Sequence, residues 1–102
     1  MIVYNVTVSV DPIIEKEWLE WMRNHHIPDV MKTGFFISAE LNKVITSKDD
    51  EITYAIAYRC NDIKDLHAYQ VKCAPLLQKE HSDKFKNNTL AFRTIIQVIE
   101  KF

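Results

Sequence analysis

Four histidines are the most versatile candidates for chemistry in this sequence, since imidazole titrates near neutral pH and can exchange protons or bind metal ions. They are His25, His26, His67 and His81. A metal site also needs a third ligand and converging geometry, and no two of these histidines stand four residues apart on one helix. His25 and His26 are adjacent, so a helix directs them to different sides. We therefore expect no metal site.

His26 is the residue that we expect to carry any catalysis, as a general base or as a donor to a bound carbonyl. Proline disfavours helical geometry at the preceding residue, so a helix should end or kink near His26, ahead of Pro28, and the imidazole can then project over the end of the sheet. Two alternatives stay open. Helix periodicity places His25 rather than His26 at the centre of the apolar stripe, and a protonated His26 could simply cap the helix by binding its last carbonyls.

Aromatic side chains mark the candidate ligand pocket. Tyrosines at alternating strand positions place several hydroxyls on one apolar face, and each buried hydroxyl needs a partner, which a ligand or a pocket water can supply. The alternative is an ordinary core, because large aromatic side chains dominate burial in many domains. His81, between Leu77 and Phe85, fits a hydrogen-bonded packing residue as well as a ligand contact. The candidate ligand-binding residues are Tyr4, Trp21, Tyr54, Tyr58 and His81.

Composition excludes several other kinds of site. Gly34 is the only glycine, whereas loops that cradle phosphates need several. Cys60 and Cys73 match no zinc-ligand spacing, and no serine or cysteine stands in a recognisable nucleophile motif. The 13 basic residues balance 14 acidic ones, which argues against nucleic acid or an anionic membrane as a partner. We expect no cofactor.

Alternating apolar residues predict the strands that position these groups. Strands are expected over residues 1–10, 35–46, 52–60 and 90–99, with a turn at 47–50 between the second and the third. One predicted sheet face carries Tyr4, Val6, Val8, Tyr54, Ile56, Tyr58, Phe92, Ile96 and Val98. The opposite face carries Asn5, Thr7, Ser9, Thr53, Arg59, Arg93 and Gln97.

Apolar residues spaced by three and four predict the helices. The first helix begins at Asp11 and Pro12 and gains one more turn before Gly34 ends it. Asp62 caps the second, and Pro75 either interrupts it or starts a new segment, which ends at the asparagines of positions 87 and 88, since asparagine tolerates positive φ. The predicted stripes are Ile14, Trp18, Trp21, Met22 and His25, then Ile63, Leu66, His67 and Gln70, and finally Leu77, His81 and Phe85.

The order βαββαβ predicts one α+β domain of ferredoxin-like type over residues 1–102, with a four-stranded antiparallel sheet and the helices on one face. Residues 1–6 lack the basic region of a signal peptide. No apolar run approaches the roughly 20 residues that span a bilayer. We therefore expect a soluble, cytoplasmic protein.

Motifs spread over essentially the whole chain carry a family resemblance. They are residues 18–22, residues 26–35, residues 74–77 followed by His81 and Phe85, and residues 92–94. Together they resemble an uncharacterised family of small bacterial proteins, a domain of unknown function placed among the dimeric α/β barrels beside antibiotic-biosynthesis-monooxygenase-like domains. Many barrel relatives carry a histidine two residues before a proline after the first helix, and His26 and Pro28 match that pattern. The resemblance therefore implies a homodimer and a role for His26.

In those relatives two sheets pack face to face, which implies a homodimer that joins the two copies through the polar sheet face, namely Asn5, Thr7, Thr53, Arg93 and Gln97. The superfamily includes cofactor-less oxygenases, isomerases, haem enzymes and ligand-sensing domains, so it implies no single chemistry. We predict a small-molecule-binding dimer whose ligand is small and apolar or aromatic. The alternative is a cofactor-less oxygenase or isomerase acting on an aromatic or enolic compound. Whether the protein is an enzyme, and which ligand it takes, the sequence leaves open.

Overall fold

The computed structural model describes residues 1–48 and 50–102, and within them four strands and two helical regions follow the predicted βαββαβ order. The strands are β1 (Ile2–Val10), β2 (Ser38–Lys43), β3 (Thr53–Cys60) and β4 (Thr89–Gln97). The helices are α1 (Glu15–Trp21), α2 (Ile27–Lys32), α3 (Ile63–Lys72) and α4 (Ala74–Phe85). The turn predicted at 47–50 includes Asp49, which lies outside the described residues. No helix in the described ranges is long and apolar enough to cross a membrane.

The strands form one antiparallel sheet in the order β2-β3-β1-β4, which confirms the predicted ferredoxin-like arrangement. Residues directly opposite each other in an antiparallel pair share a face of the sheet. Tyr4 lies opposite Tyr58, and Val6 lies opposite Ile56. Three of these four side chains are buried beneath the helices and Val6 is partly buried, so the predicted core face of β1 and β3 is correct.

The face predicted for the last strand is wrong. The register pairs Val6 with Arg93, Ile2 with Gln97, Thr7 with Phe92, and Val3 with Ile96. Arg93 and Gln97 therefore lie on the helix-covered face, whereas Phe92 and Ile96 lie on the opposite, open face. Apolar residues occur at both parities of β4, for example Ile95 beside Ile96. Alternation within β4 therefore does not show which of its side chains face the helices. The register of its pairing with β1 determines this.

The open face of the sheet is more apolar than predicted. Three of its β4 side chains are exposed hydrophobic groups, namely Leu90 at 76%, Phe92 at 61% and Ile96 at 44% exposure. They border the polar β1 residues Asn5 and Thr7, which do lie on this face as predicted. Exposed apolar groups of this kind, interrupted here only by Thr94, are typical of a protein–protein contact.

A π-helical turn at Met22–His26 joins α1 to α2 without a break. Within it the N–H of Ile27 donates to the carbonyl five residues earlier. The helix therefore widens near His26, where the sequence predicted an end or a kink. The wider turn relieves the crowding that the ring of Pro28 would cause against a regular α-turn. Gly34, at φ +82°, then ends the helical region as predicted.

The second helical region begins where Asp62 accepts a hydrogen bond from a backbone N–H in the first turn of α3, and Pro75 starts α4. Leu66 of the predicted stripe of α3 is buried, but the buried side continues to Tyr69, whereas His67 is exposed, so the predicted face of this helix is only partly correct. The stripe predicted for α4 does face the core. No described non-glycine residue has a positive φ. The asparagines at positions 87 and 88 therefore follow α4 without adopting the left-handed conformation that the sequence suggested.

Candidate functional site

A cavity of about 40 Å³ lies between the helix-covered face of the sheet and the helices. One water molecule takes about 10–15 Å³ on this measure, so the cavity has room for about three or four waters or for the head of a small ligand. Buried Ile56 and Tyr58 form its deep end, and half-buried Gln78 and exposed Arg93 form its mouth. Between them the polar lining is Tyr4, His26, Tyr69 and His81.

The π turn determines which of the two adjacent histidines reaches this cavity. His26 is half-buried and lines it, whereas His25 is exposed to solvent. An extra residue in the turn rotates the following side chains, so His26 takes the inward position that regular periodicity assigns to His25. Its ring stacks on Trp21, with centroids 5.2 Å apart and an interplanar angle of 27°. Trp21 does not line the cavity but supports the imidazole from behind.

His26 has an unmet hydrogen-bonding group. Its Nδ1 is buried and has no partner within the described part of the chain. The pKa of His26 is lowered to about 4, mainly by burial and also by the charges of His81 and Arg93, while Asp29 opposes these effects. The imidazole is therefore neutral at pH 7. The helix-capping alternative requires a protonated ring at a helix end, and this ring is neutral in the middle of a continuous helix, so that interpretation is wrong.

His81 stands opposite His26, with ring centroids 5.8 Å apart. The indole Nε1 of Trp18 donates a hydrogen bond of 3.0 Å to Nε2 of His81. An accepting Nε2 carries no proton, so neutral His81 holds its proton on Nδ1. Burial lowers the pKa of His81, and the nearby Arg93 acts in the same direction. In this pair, His81 is held as an Nδ1–H donor, whereas Nδ1 of His26 has no partner among the described residues.

Three tyrosines, Tyr4, Tyr58 and Tyr69, supply phenol groups to the cavity. Their rings form one cluster, in which Tyr4 lies 6.2 Å from Tyr58 and 6.1 Å from Tyr69. Burial raises the pKa of all three hydroxyls, so they remain protonated. For Tyr4 the nearby Arg93 and Gln78 partly offset that increase in pKa. The hydrogen bonds formed among the described residues include none from the hydroxyls of Tyr58 or Tyr69.

Arg93 is the cation of this site. It lies on β4 at the mouth of the cavity, and its charge affects the pKa of Tyr4, His26, Tyr69 and His81. None of the ion pairs within residues 1–48 and 50–102 includes it. The site therefore offers one guanidinium, several neutral donors and a neutral imidazole to whatever enters.

Tyr54, the remaining sequence-predicted residue, lies outside the cavity lining. Its hydroxyl donates to the carboxylate of Glu15, which also forms an ion pair with Lys43 at 3.6 Å. Burial and the Glu15 carboxylate raise the pKa of Tyr54 to about 12. Its ring packs 5.1 Å from that of Trp18, so this group joins α1 to the sheet.

Sequence reasoning missed three polar residues of the site, namely Tyr69, Gln78 and Arg93. Tyr69 follows Leu66 by three positions, and that spacing could have identified the buried side of α3. Gln78 lies one residue after the apolar stripe of α4, and no pattern marks it. Arg93 was placed on the wrong face because β4 has apolar residues at both parities. Within the described ranges no three acidic, cysteine or histidine side chains are grouped to hold a metal ion.

The chain sequence matches the family described as a domain of unknown function, DUF4286, over residues 1–99. No curated protein matches it by sequence. Among solved structures it is similar to a dimeric ferredoxin-like protein from an uncultured marine organism. The identity is 10%, the match covers 99% of this chain and 96% of the other, and the TM-score is 0.75.

Two further solved structures share the fold at low identity. A protein of the ethyl tert-butyl ether D (EthD) family from Bacillus halodurans is 14% identical, with coverage of 97% and 100% and a TM-score of 0.70. SnoaB, a cofactor-independent oxygenase from Streptomyces nogalater, is 11% identical, with coverage of 98% and 95% and a TM-score of 0.66. At these identities the likeness establishes the fold alone.

Proposed function

Because the chain belongs to the DUF4286 family of unknown function, we propose its function from the site itself: it is a small-molecule-binding protein whose ligand enters the cavity beside His26. The observation that carries the proposal is the unpartnered, buried Nδ1 of His26 in the wall of a cavity. A buried polar atom without a partner costs about 1–3 kcal/mol. A histidine that served only for packing would carry this cost without any gain. A ligand or a bound water that hydrogen-bonds to Nδ1 would remove the cost.

A second candidate function is a cofactor-less oxygenase or isomerase. Neutral His26 can accept a proton from the carbon next to a carbonyl, while the Tyr4 hydroxyl and the Nδ1–H of His81 hold the enolate oxygen that forms. An isomerase returns the proton to a different carbon. An oxygenase adds dioxygen to the carbanion, and the peroxide anion that forms takes the proton back from His26. The solved oxygenase SnoaB has the same fold, so the architecture is compatible with this chemistry.

The proposal includes a homodimer formed through the open face of the sheet. The stripe of Leu90, Phe92 and Ile96 supports it, because burying these exposed groups against a second copy is favourable. Two solved relatives of this fold are described as dimeric ferredoxin-like proteins. A twofold axis makes such a contact isologous, and about 1,000 Å² of total buried area is the lower limit for a specific interface.

The binding proposal is tested by titrating small aromatic and quinone-like probes, phenol and 1,4-benzoquinone among them, while recording thermal stability and the NMR signals of the indole N–H groups. Wild type is compared with His26→Asn, and His25→Asn is the matched control, because it changes the exposed neighbour in the same way. We expect a saturable response in wild type and in His25→Asn that is lost in His26→Asn. An equal response in all three, or none in wild type at millimolar probe, contradicts the proposal.

A further inference from the structure

We infer that the ligand of the cavity is a small organic anion with a planar carboxylate or enolate head, and that Arg93 is the residue that binds this head. The inference rests on the proposed function and adds the chemical class of the ligand. The inference requires that Arg93 faces the cavity rather than the open side of the sheet. Arg93 pairs with Val6, which lines the cavity, so both side chains lie on the cavity side.

The charges around the cavity favour an anion. Arg93 stands at the mouth, and the polar groups deeper inside are phenols and neutral imidazoles. Asp29 on α2 acts on His26, but it does not line the cavity. A cationic ligand would meet the like charge of Arg93 at the entrance and be repelled by it. A neutral ligand would displace water from the guanidinium without supplying an opposite charge in its place.

The shape of the donor set favours a planar head. A guanidinium presents two parallel N–H groups that match two oxygens in one plane, as in a carboxylate or a delocalised enolate. Burial raises the pKa of Tyr4, and Arg93 lies close enough to its hydroxyl to offset part of that increase, so the two groups can share one head. His81 also lines the cavity, and its Nδ1–H is not used by the hydrogen bond from Trp18, so it can serve as a further donor.

The size of the cavity limits how much of the ligand is enclosed. A volume of about 40 Å³ accepts a head of a few atoms and not a complete aromatic ring. The head therefore lies just inside Arg93, and the rest of the ligand must extend out of the mouth between α4 and β4. This face of β4 is separate from the open face proposed for the dimer, so both contacts can form at once.

Three isosteric probes test the charge requirement, namely benzoate, benzamide and benzamidinium. They share a ring and a planar head and differ in the charge of that head. Their affinities are measured by NMR titration of the full-length protein at pH 7, in wild type, in Arg93→Gln and in Arg59→Gln. Arg59→Gln is the matched control, because it removes the same charge from β3 on the open face of the sheet, where Arg59 pairs with Glu40 at 3.5 Å.

In wild type we expect benzoate to bind more tightly than benzamide, and benzamidinium to bind weakest. Losing a charge-assisted pair weakens binding by about tenfold to a hundredfold, so Arg93→Gln should bring benzoate to the level of benzamide. Arg59→Gln should keep the preference. Equal affinity for benzoate and benzamide in wild type, or a preference that survives in Arg93→Gln, overturns the inference and leaves the binding function intact. Failure of all three probes to bind overturns both.

Discussion

The indole Nε1 of Trp18 donates a 3.0 Å hydrogen bond to Nε2 of His81, a residue 63 positions later in the chain. The bond joins α1 to α4 above the sheet. It also determines the chemistry of the site, because an accepting Nε2 leaves the proton of His81 on Nδ1. A single contact between two helices therefore contributes to stability and selects the donor that the cavity offers.

Substitution of Trp18 separates these two effects. Trp18→Ala should lower the free energy of unfolding by about 3–5 kcal/mol, since the fully buried indole leaves a cavity. Trp18→Phe should lower it by about 2 kcal/mol, because it mainly leaves Nε2 of His81 unpaired. Urea unfolding at one fixed protein concentration measures both values. Imidazole ¹⁵N NMR should show one tautomer of His81 in wild type and a mixture in Trp18→Phe. An unchanged His81 spectrum contradicts the assignment.

Stability should fall as the pH falls below the ordinary histidine range. The pKa of His26 is lowered from 6.5 to about 4 in the folded protein, so between these values the unfolded chain binds the proton first and is stabilised. The two pKa values correspond to a loss of about 3 kcal/mol between pH 6.5 and 4. His81 acts in the same direction. Unfolding measured at several pH values should show a smaller loss in His26→Phe, and an identical pH dependence in both proteins contradicts the buried, neutral imidazole.

His26→Phe should separate stability from binding. At pH 7 the substitution removes an unpartnered buried nitrogen and keeps an aromatic ring against Trp21, so the free energy of unfolding should stay constant or rise by about 1 kcal/mol. The response to benzoate should be weakened or lost. His81→Phe is the control, because it leaves the Trp18 indole N–H unpaired and should destabilise the protein. A loss of more than about 2 kcal/mol in His26→Phe would mean that the imidazole is structural.

The dimer proposal predicts opposite results for two neighbouring surface positions. Phe92→Lys places a charge on the open face of β4 and should convert the dimer to a monomer in light scattering at micromolar concentration. Ile95→Lys is the control on the helix-covered face of the same strand, where Ile95 is 49% exposed, and it should leave the dimer intact. A monomeric wild type, or a dimer disrupted only by Ile95→Lys, rules out association through the open face.

Two tyrosines on the same face of β3 should respond differently to loss of their hydroxyls. Tyr54→Phe removes the hydrogen bond to Glu15 and should cost about 1 kcal/mol without changing the response to benzoate. Tyr58→Phe removes a hydroxyl at the deep end of the cavity that has no partner among the described residues, so binding should change while stability does not. Unfolding and NMR titration of both variants check this. A weaker benzoate response in Tyr54→Phe would place the ligand elsewhere.

Local patterns predicted much of the fold correctly. The strict alternation of β1 and β3, the caps at Asp11 and Asp62, and the end of the first helical region at Gly34 all agree with the structure. Each depends on a residue and its near neighbours, so the sequence alone contains the necessary information. His26 was preferred over His25 on a motif, while periodicity favoured the wrong neighbour.

What the sequence by itself determined is the set of elements, their order and the chemical groups available. Only the tertiary structure decided which of these groups meet. The side of the sheet on which Arg93 lies depends on its pairing with Val6, and β4 alone is compatible with either side. The inward turn of His26 depends on a π turn, which changes the helical period by one residue and leaves no clear sequence pattern. The side chosen by Arg93 follows from backbone hydrogen bonds between distant strands, which would be lost if β4 paired one residue out of register. The turn at His26 follows from packing around Pro28, where a wider turn avoids the crowding of a regular helix.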